Sequence, residues 1–278
     1  MNNIRVKKYW PALGEPFLIA GGLIAISVLA WVYTIEMAQT MGVHMPAAAS
    51  MAEHDVHHMA GHGAMHSAAV TPHLVAWGVE ETLMTFIMWA VMMAAMMLPT
   101  AIPMVLAFMI VNSDHESGCL RVPIWAFTSG YLSTWTVYSA GATIAQWVLL
   151  RAALLSPQSF VSGPVLGGIL LISAGIFQWT PWKDACMAKC RNPIGFLITH
   201  WRPGNMGAFS LGSRYGLYCV GCCWLLMMLS FALGVMNLVW MAALTAFMLI
   251  EKISPAGRII SRTAGIGLIL WGGWMLFS

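Results

Sequence analysis

The chain has 278 residues, of which 59% are hydrophobic and only 8% are charged. Ordinary soluble domains carry roughly 25% charged residues, so this composition excludes a typical soluble protein and indicates a membrane protein whose main partner is the lipid bilayer. The formal net charge of +3 calls for no nucleic-acid partner, because the basic residues are distributed as the loops of a membrane protein require.

Seven apolar runs are near or above the length of roughly 20 residues that crosses a bilayer as a helix. They are residues 17–37, 83–111, 124–150, 164–179, 216–235, 236–250 and 259–277. With the N-terminus in the cytoplasm, every Lys and Arg except Arg151 falls on the cytoplasmic side, where short loops concentrate basic residues. The sequence therefore predicts one all-α domain, a polytopic membrane bundle of about seven transmembrane helices, N-in and C-out.

The first apolar run is expected to be a retained span and not a cleaved signal peptide. It is longer than the apolar region of a signal peptide, and the small residues that imitate a cleavage site, Ala47, Ala48 and Ala49, lie far beyond its end.

The loop between the first two predicted spans, residues 40–72, concentrates histidine and methionine. Seven of the nine histidines lie between positions 44 and 73, outside the membrane in the predicted topology. Imidazole and thioether groups together favour a soft ion such as Cu(I), whereas the alternative is a soluble spacer. The candidate metal ligands here are His54, His57, His58, His62 and His66.

The second predicted span is rich in methionine. Its candidate ligands are Met88, Met92, Met93, Met96 and Met97. Together with Met84, they make six methionines that cover more than half of the helix circumference at about 100° per residue, so they cannot all face one narrow pore. Two interpretations stay open: thioethers that pass a soft cation along the helix, and flexible side chains that only fill gaps between helices.

Pro99 and Pro103 follow the methionines and should kink or end this helix. A proline also leaves a backbone carbonyl free, and in a membrane that carbonyl needs a partner within the protein.

Two cysteine groups are predicted to lie at the cytoplasmic level. Thr180 is a suitable N-cap and Pro181 suits the first helical position, so the stretch that ends before Pro193 should be a helix. The cysteines of this helix share one face, and those of the next span lie within about 100° of arc. The five are Cys186, Cys190, Cys219, Cys222 and Cys223.

Because the cytosol is reducing, structural disulfides are disfavoured on this side, and a thiolate site for Cu(I) is the preferred interpretation. A structural zinc site, buried or acylated thiols and a dithiol redox site stay open as alternatives. We expect the five thiols to form one site, with Lys183, Lys189 or Arg191 as the compensating cation and Cys119 outside it.

Four blocks carry a resemblance to a known family: "MWAVMMAAMMLPTAIP", "FQWTPWKDACMAKCRNPIGF", "HWRPGNMGAF" and the stretch that begins "RYGLYCVGCCW". Together they cover most of residues 88–255. The chain resembles a bacterial family of predicted metal-binding integral membrane proteins, some of which accompany tyrosinase-type oxidases as copper chaperones. The resemblance implies copper handling in a bacterial inner membrane in support of another protein, with the methionines and cysteines named above as ligands. The histidine loop lies outside these blocks.

The sequence thus predicts a Cu(I)-binding membrane protein, not an enzyme, that delivers copper to a copper-dependent partner or holds it there. It contains neither a phosphate-binding G-x-x-x-x-G-K-[ST] loop nor a D-K-T-G motif. A structural or assembly subunit of a larger membrane copper enzyme complex, and a membrane thiol redox enzyme, are the alternative functions.

The basic segment 181–214 is predicted as a cytoplasmic loop.

Overall fold

The computed structural model describes residues 20–39, 78–115, 124–155, 163–235 and 237–277, and within them the chain forms a helical bundle. The helices are α1 (Ala20–Gln39), α2 (Val79–His115), α3 (Ile124–Arg151), α4 (Pro164–Phe177), α5 (Pro181–Arg191), α6 (Pro193–His200), α7 (Asn205–Met228), α8 (Ser230–Leu233), α9 (Leu238–Ile253) and α10 (Gly257–Phe277). The predicted all-α architecture is confirmed for this part of the chain.

Several helices begin where the local sequence supplies a cap. The Thr180 side chain accepts a hydrogen bond from the Lys183 backbone N–H, and Pro181 occupies the first turn of α5, as predicted. Asn192 caps α6 in the same way, so Pro193 opens a further short helix where the chain was expected only to stop. Asn237 starts α9 by accepting from two backbone N–H groups. These side chains satisfy donors that a helix start leaves unpaired.

The basic segment 181–214, predicted to connect two spans on the cytoplasmic side, is helical beyond the one helix expected within it. It contains α5, α6 and the first turns of α7, which begins at Asn205, well before the predicted start of that span at position 216. A hydropathy pattern finds the apolar part of a helix, whereas capping and packing extend the helix beyond it.

Pro99 and Pro103 do not end α2, which continues as one helix to His115. Pro99 has no N–H to donate to the carbonyl of Ala95, four residues earlier. That carbonyl instead accepts from the Ser27 hydroxyl and the Trp31 indole N–H of α1, each at 3.2 Å. The expectation that a freed carbonyl finds a partner inside the protein is confirmed here, and this bond pair docks α1 on α2.

The core is formed around α2, α3 and α7. The helices α3 and α7 pack along most of their length, α2 packs on α3, and α5 packs on α7. A Cβ atom added at Gly130 would collide with the Phe209 backbone carbonyl, and one added at Gly212 would collide with that of Phe127. The missing side chains let the two backbones approach closely, as in many helix pairs in membranes.

Four described helices are long and apolar enough to cross a membrane. They are α1 (Ala20–Gln39), most of α2 (Val79–Met109), α7 together with α8 (Asn205–Leu233) and α10 (Gly257–Phe277). The pair Pro164–Phe177 and Pro181–Arg191, bent by 66° at its break, raises the number to five if it counts as one span. A membrane-spanning helical bundle is compatible with this result, and the predicted seven spans and their orientation stay predictions.

Candidate metal site: a buried thiol cluster

The five cysteines lie on two helices that pack against each other. Those of α5 follow the spacing of one helical turn and face α7, and all five are buried and unbridged. The exposed fractions of the side chains are 8% for Cys186, 7% for Cys190, 0% for Cys219, 0% for Cys222 and 1% for Cys223. The structure therefore brings the two groups together, although about thirty residues separate them in sequence.

Cys222 is the central thiol of this cluster. Its side chain interacts with Cys190 across the helix pair, and its Sγ donates to the Cys219 backbone carbonyl on its own helix. Cys186 packs at the edge, with its Sγ 3.0 Å from the point that a Cβ at Gly221 would occupy. Among the residues that the structure describes, no three or more His, Cys, Asp or Glu side chains are arranged as a ligand set for a metal ion. The arrangement is a chain of contacting thiols, and the metal role predicted for it stays a prediction.

Cys219 differs from its neighbours in what surrounds its sulfur. The thiols of Cys222 and Cys223 both donate to the Cys219 backbone carbonyl, at 3.0 Å and 2.9 Å. The Cys219 Sγ itself accepts from the Lys252 ammonium group at 3.0 Å and lies 3.4 Å from the Tyr131 hydroxyl. A nearby cation favours the thiolate form, which is the form that binds soft metals.

Lys252 is the cation that contacts the cluster, and sequence reasoning missed it. Of the three expected cations, Lys183 turns away to pair with Glu251 and Arg191 donates to the Ser254 carbonyl at 2.7 Å. Lys189 is exposed. The only signal for Lys252 in the sequence was its position, next to Glu251 at the end of an apolar span. Helical periodicity could not show which helix the Lys252 side chain faces.

The methionine side of α2 ends at this cluster. Met88 is 6% exposed, and Met92, Met93, Met96 and Met97 are fully buried in the core. The Met97 carbonyl accepts from the hydroxyls of Thr100 (2.9 Å) and Tyr131 (3.3 Å). Tyr131 also lies beside Cys219, and Lys252 donates to both Thr100 and Cys219, at 3.0 Å each. Tyr131 and Lys252 therefore connect the turn of α2 that contains Met97 to the Cys219 thiol.

A second polar cluster is built on Lys183, which shares the buried side of α5 with the cysteines. Lys183 is ion-paired with Glu251, and both side chains are about 2% exposed. The Gln178 side-chain carbonyl accepts from Lys183 and from the Ser261 hydroxyl. Lys183, Glu251 and Ser261 border a cavity of about 310 Å³ between α5, α9 and α10, which is also lined by Met187 and Arg191. The cluster joins three helices beside the break between α4 and α5.

The remaining predicted ligands cannot be placed. His54, His57, His58, His62 and His66 lie outside the described residues, as does Cys119. The two carboxylates Glu80 and Glu81, which follow the histidine loop in sequence, occupy the first turn of α2.

A comparison with families of known proteins identifies this chain. The model of a copper chaperone family, PpoB2, matches residues 86–275, about two-thirds of the chain. No curated protein and no solved structure matches. The matched region contains the methionine strip and all five clustered cysteines, and the resemblance seen in the sequence blocks is confirmed. The chain belongs to this copper chaperone family.

Proposed function

From membership in a copper chaperone family, we propose that this protein binds Cu(I) at the thiol cluster and delivers it to, or holds it for, a copper-dependent partner. The observation that carries the proposal is the packing of the α5 thiols against the α7 thiols: Cys186 Sγ lies against Gly221 of α7, and Cys190 interacts with Cys222. Thiolates drawn from two adjacent helices offer the soft, low-coordinate sulfur environment that suits Cu(I). Zinc would need about four ligands in tetrahedral arrangement, and the chain of contacting thiols supports that reading less well.

We propose the buried thioethers of α2 as a path to this site. The Met97 sulfur lies 4.0 Å from the Thr100 hydroxyl, and Lys252 donates both to that hydroxyl and to the Cys219 sulfur, which supports continuity between the two ligand types. Thioethers bring no charge into the membrane and need no proton loss, so they suit a cation in transit. The histidines at positions 54–66 would collect copper ahead of this path, and this part of the proposal rests on ligand chemistry alone.

The proposed setting is a bacterial inner membrane with seven spans. In this arrangement α3 and α9 cross the membrane together with the more apolar helices. The hydroxyls of Ser133, Thr136, Ser139 and Thr143 in α3 donate to carbonyls of their own helix, which lowers the cost of placing them in lipid. With the N-terminus inside, the thiol cluster lies toward the cytoplasmic side.

An assembly subunit of a larger copper enzyme complex is the second candidate. The observation that favours it is the complete burial of Met92, Met93, Met96 and Met97 within the bundle, because packing alone accounts for methionines that face several neighbours.

Metal analysis of purified protein after copper supplementation tests the main proposal. Wild-type protein is compared with a variant in which the five clustered cysteines are replaced by Ser and with a Cys119→Ser control. We expect stoichiometric copper in the wild type and the control and loss of copper from the five-cysteine variant. A five-cysteine variant that keeps its copper would contradict the proposed site, and a wild type without copper that co-purifies with a tight partner would favour the assembly subunit.

A further inference from the structure

The end of α9 carries two adjacent charges that point to different parts of the bundle. Glu251 pairs with Lys183 of α5, whereas the Lys252 ammonium group reaches between α2 and α7. There it donates to the Thr100 hydroxyl and to the Cys219 sulfur, each at 3.0 Å. Among the described residues no carboxylate pairs with Lys252, so its positive charge faces thiols and hydroxyls.

Lys252 is half-buried, and its ammonium group lies between helices. An ammonium group that leaves water without a counter-charge has a solvation cost, which a negative charge formed beside it would offset. The carboxylate next to it in sequence, Glu251, is engaged with Lys183, and the amine contacts the Thr100 hydroxyl and the Cys219 thiol. Of these two groups the thiol becomes an anion when it binds a metal, so the balancing charge is expected at the cysteines.

Binding of a monovalent metal by two thiols produces that charge. Each thiol loses its proton to solvent, two metal–sulfur bonds form, and no electrons are exchanged. Cu(I) with two thiolates has one net negative charge, which Lys252 cancels. Since the described residues bring no set of three or more His, Cys, Asp or Glu ligands together, a divalent ion would have to use the same two thiolates. That site would already be neutral, so the ammonium group would leave an excess positive charge and oppose binding of the divalent ion.

We propose that Lys252 is the counter-charge of the metal-loaded thiol cluster and selects a monovalent soft cation over a divalent one. This inference rests on the proposed function, because it takes the thiol cluster as the copper site. Lys252 acts through charge and not as a ligand, since an ammonium group has no lone pair to offer a metal. It is a specificity-determining residue for the cargo.

The test measures two affinities for each variant, one for Cu(I) by competition with a chromophoric Cu(I) chelator and one for Zn(II) by competition with a zinc indicator. The protein is the full chain in detergent, with its thermal unfolding midpoint recorded. The variants are Lys252→Met, which removes the charge at similar side-chain length, and Lys252→Arg, which keeps it. Lys189→Met is the matched control, because Lys189 is an exposed cation on the cysteine-bearing helix.

We expect Lys252→Met to weaken Cu(I) binding by about tenfold to a thousandfold, the range that one charge at a few ångströms gives in a partly buried site. Zn(II) binding should stay the same or strengthen, so the ratio of Cu(I) affinity to Zn(II) affinity falls. Lys252→Arg should restore the wild-type preference, and the Lys189→Met control should leave both affinities unchanged.

Three results would overturn the inference. If Lys252→Met lowers both affinities equally, Lys252 only holds α2, α7 and α9 together. If it changes neither, its charge is irrelevant to the cargo. If Lys252→Met fails to fold, Lys252→Gln keeps a hydrogen-bond donor without the charge, and an unchanged metal preference in that variant rejects the inference. A wild type that binds no Cu(I) rejects the proposed function as well, so the two failures are distinguishable.

Discussion

At the scale of single residues, the protein places an ion pair in its interior where the cost of burial is high. The side chains of Lys183 and Glu251 are each about 2% exposed, and Gln178 and Ser261 complete their network. Such a pair adds little net stability compared with an apolar pair of the same size, but a single remaining charge is strongly destabilising. The pair therefore specifies how α5 and α9 fit together more than it stabilises the fold.

Replacing Glu251 by Ala should lower the free energy of unfolding by about 3–5 kcal/mol, because it leaves the Lys183 ammonium group buried without a counter-charge. The double variant Lys183→Met/Glu251→Leu should recover most of this loss. Unfolding by denaturant in detergent measures the effect, and a double-mutant cycle isolates the coupling.

The matched control is Asp184→Ala. Asp184 forms longer and more exposed ion pairs with Arg258 and Arg262, at 3.5 Å and 3.6 Å, and such pairs contribute about 0–1 kcal/mol. If Glu251→Ala lowered the free energy of unfolding as little as Asp184→Ala does, the buried ion pair would not be what holds α5 and α9 together.

At the scale of helices, the close approach of α3 and α7 positions the thiols. Gly212→Ala should force the two backbones apart, because the new Cβ would overlap the Phe127 carbonyl. The shift would also disturb the contact between Tyr131 of α3 and Cys219 of α7. We expect a clear loss of thermal stability together with faster alkylation of the cysteines.

Gly141→Ala in the same α3 helix is the control for this prediction, since a Cβ there meets no atom within 4 Å. That variant should be neutral or slightly more stable, because Ala has the better helix propensity. Equal thermal stability and equal alkylation rates in the two variants would mean that α3 and α7 can separate without a loss of stability.

The methionine helix poses a question that a conservative substitution answers. Leu is close to Met in volume, so changing Met88, Met92 and Met96 together to Leu should cost under about 1.5 kcal/mol per site and leave the bundle folded. If the thioethers carry copper, the triple variant should lose copper-dependent function, as measured by copper loading of the thiol cluster in cells. Wild-type loading in a stably folded triple variant would assign these methionines to packing alone.

Local sequence signals predicted the parts of the fold and the site that depend on neighbouring residues. The start of α5 followed from Thr180 and Pro181, and its shared cysteine face followed from helical periodicity. The role of Lys252 and the extent of α7 could not be predicted, because both depend on which helices pack together. Pro99 is a second example. The carbonyl of Ala95 that this proline leaves free accepts hydrogen bonds from Ser27 and Trp31 of α1, which are far from it in sequence.

At the scale of the whole molecule, the direction of copper movement depends on which side of the membrane holds the thiols. The histidine loop precedes the start of α2 in sequence, and Met97, near the middle of α2, lies beside the cluster. The proposed topology would therefore place the two ligand groups at different depths, with the histidines outside and the thiols toward the cytoplasm. The orientation of the chain in the membrane therefore decides the direction in which copper would move.

The last helix offers the sharpest test of that orientation. Lys252, Arg258 and Arg262 flank the start of α10, and no Lys or Arg follows them, so basic residues should hold this end inside. A fluorescent protein that folds only in the cytoplasm, fused after Ser254, should fluoresce. Alkaline phosphatase, which is active only outside, should be active when fused after Phe277 and inactive when fused after Ser254. The reverse pattern would put the thiol cluster on the outer side, where an oxidising compartment favours disulfides over free thiols, and would remove the basis for a cytoplasmic copper site.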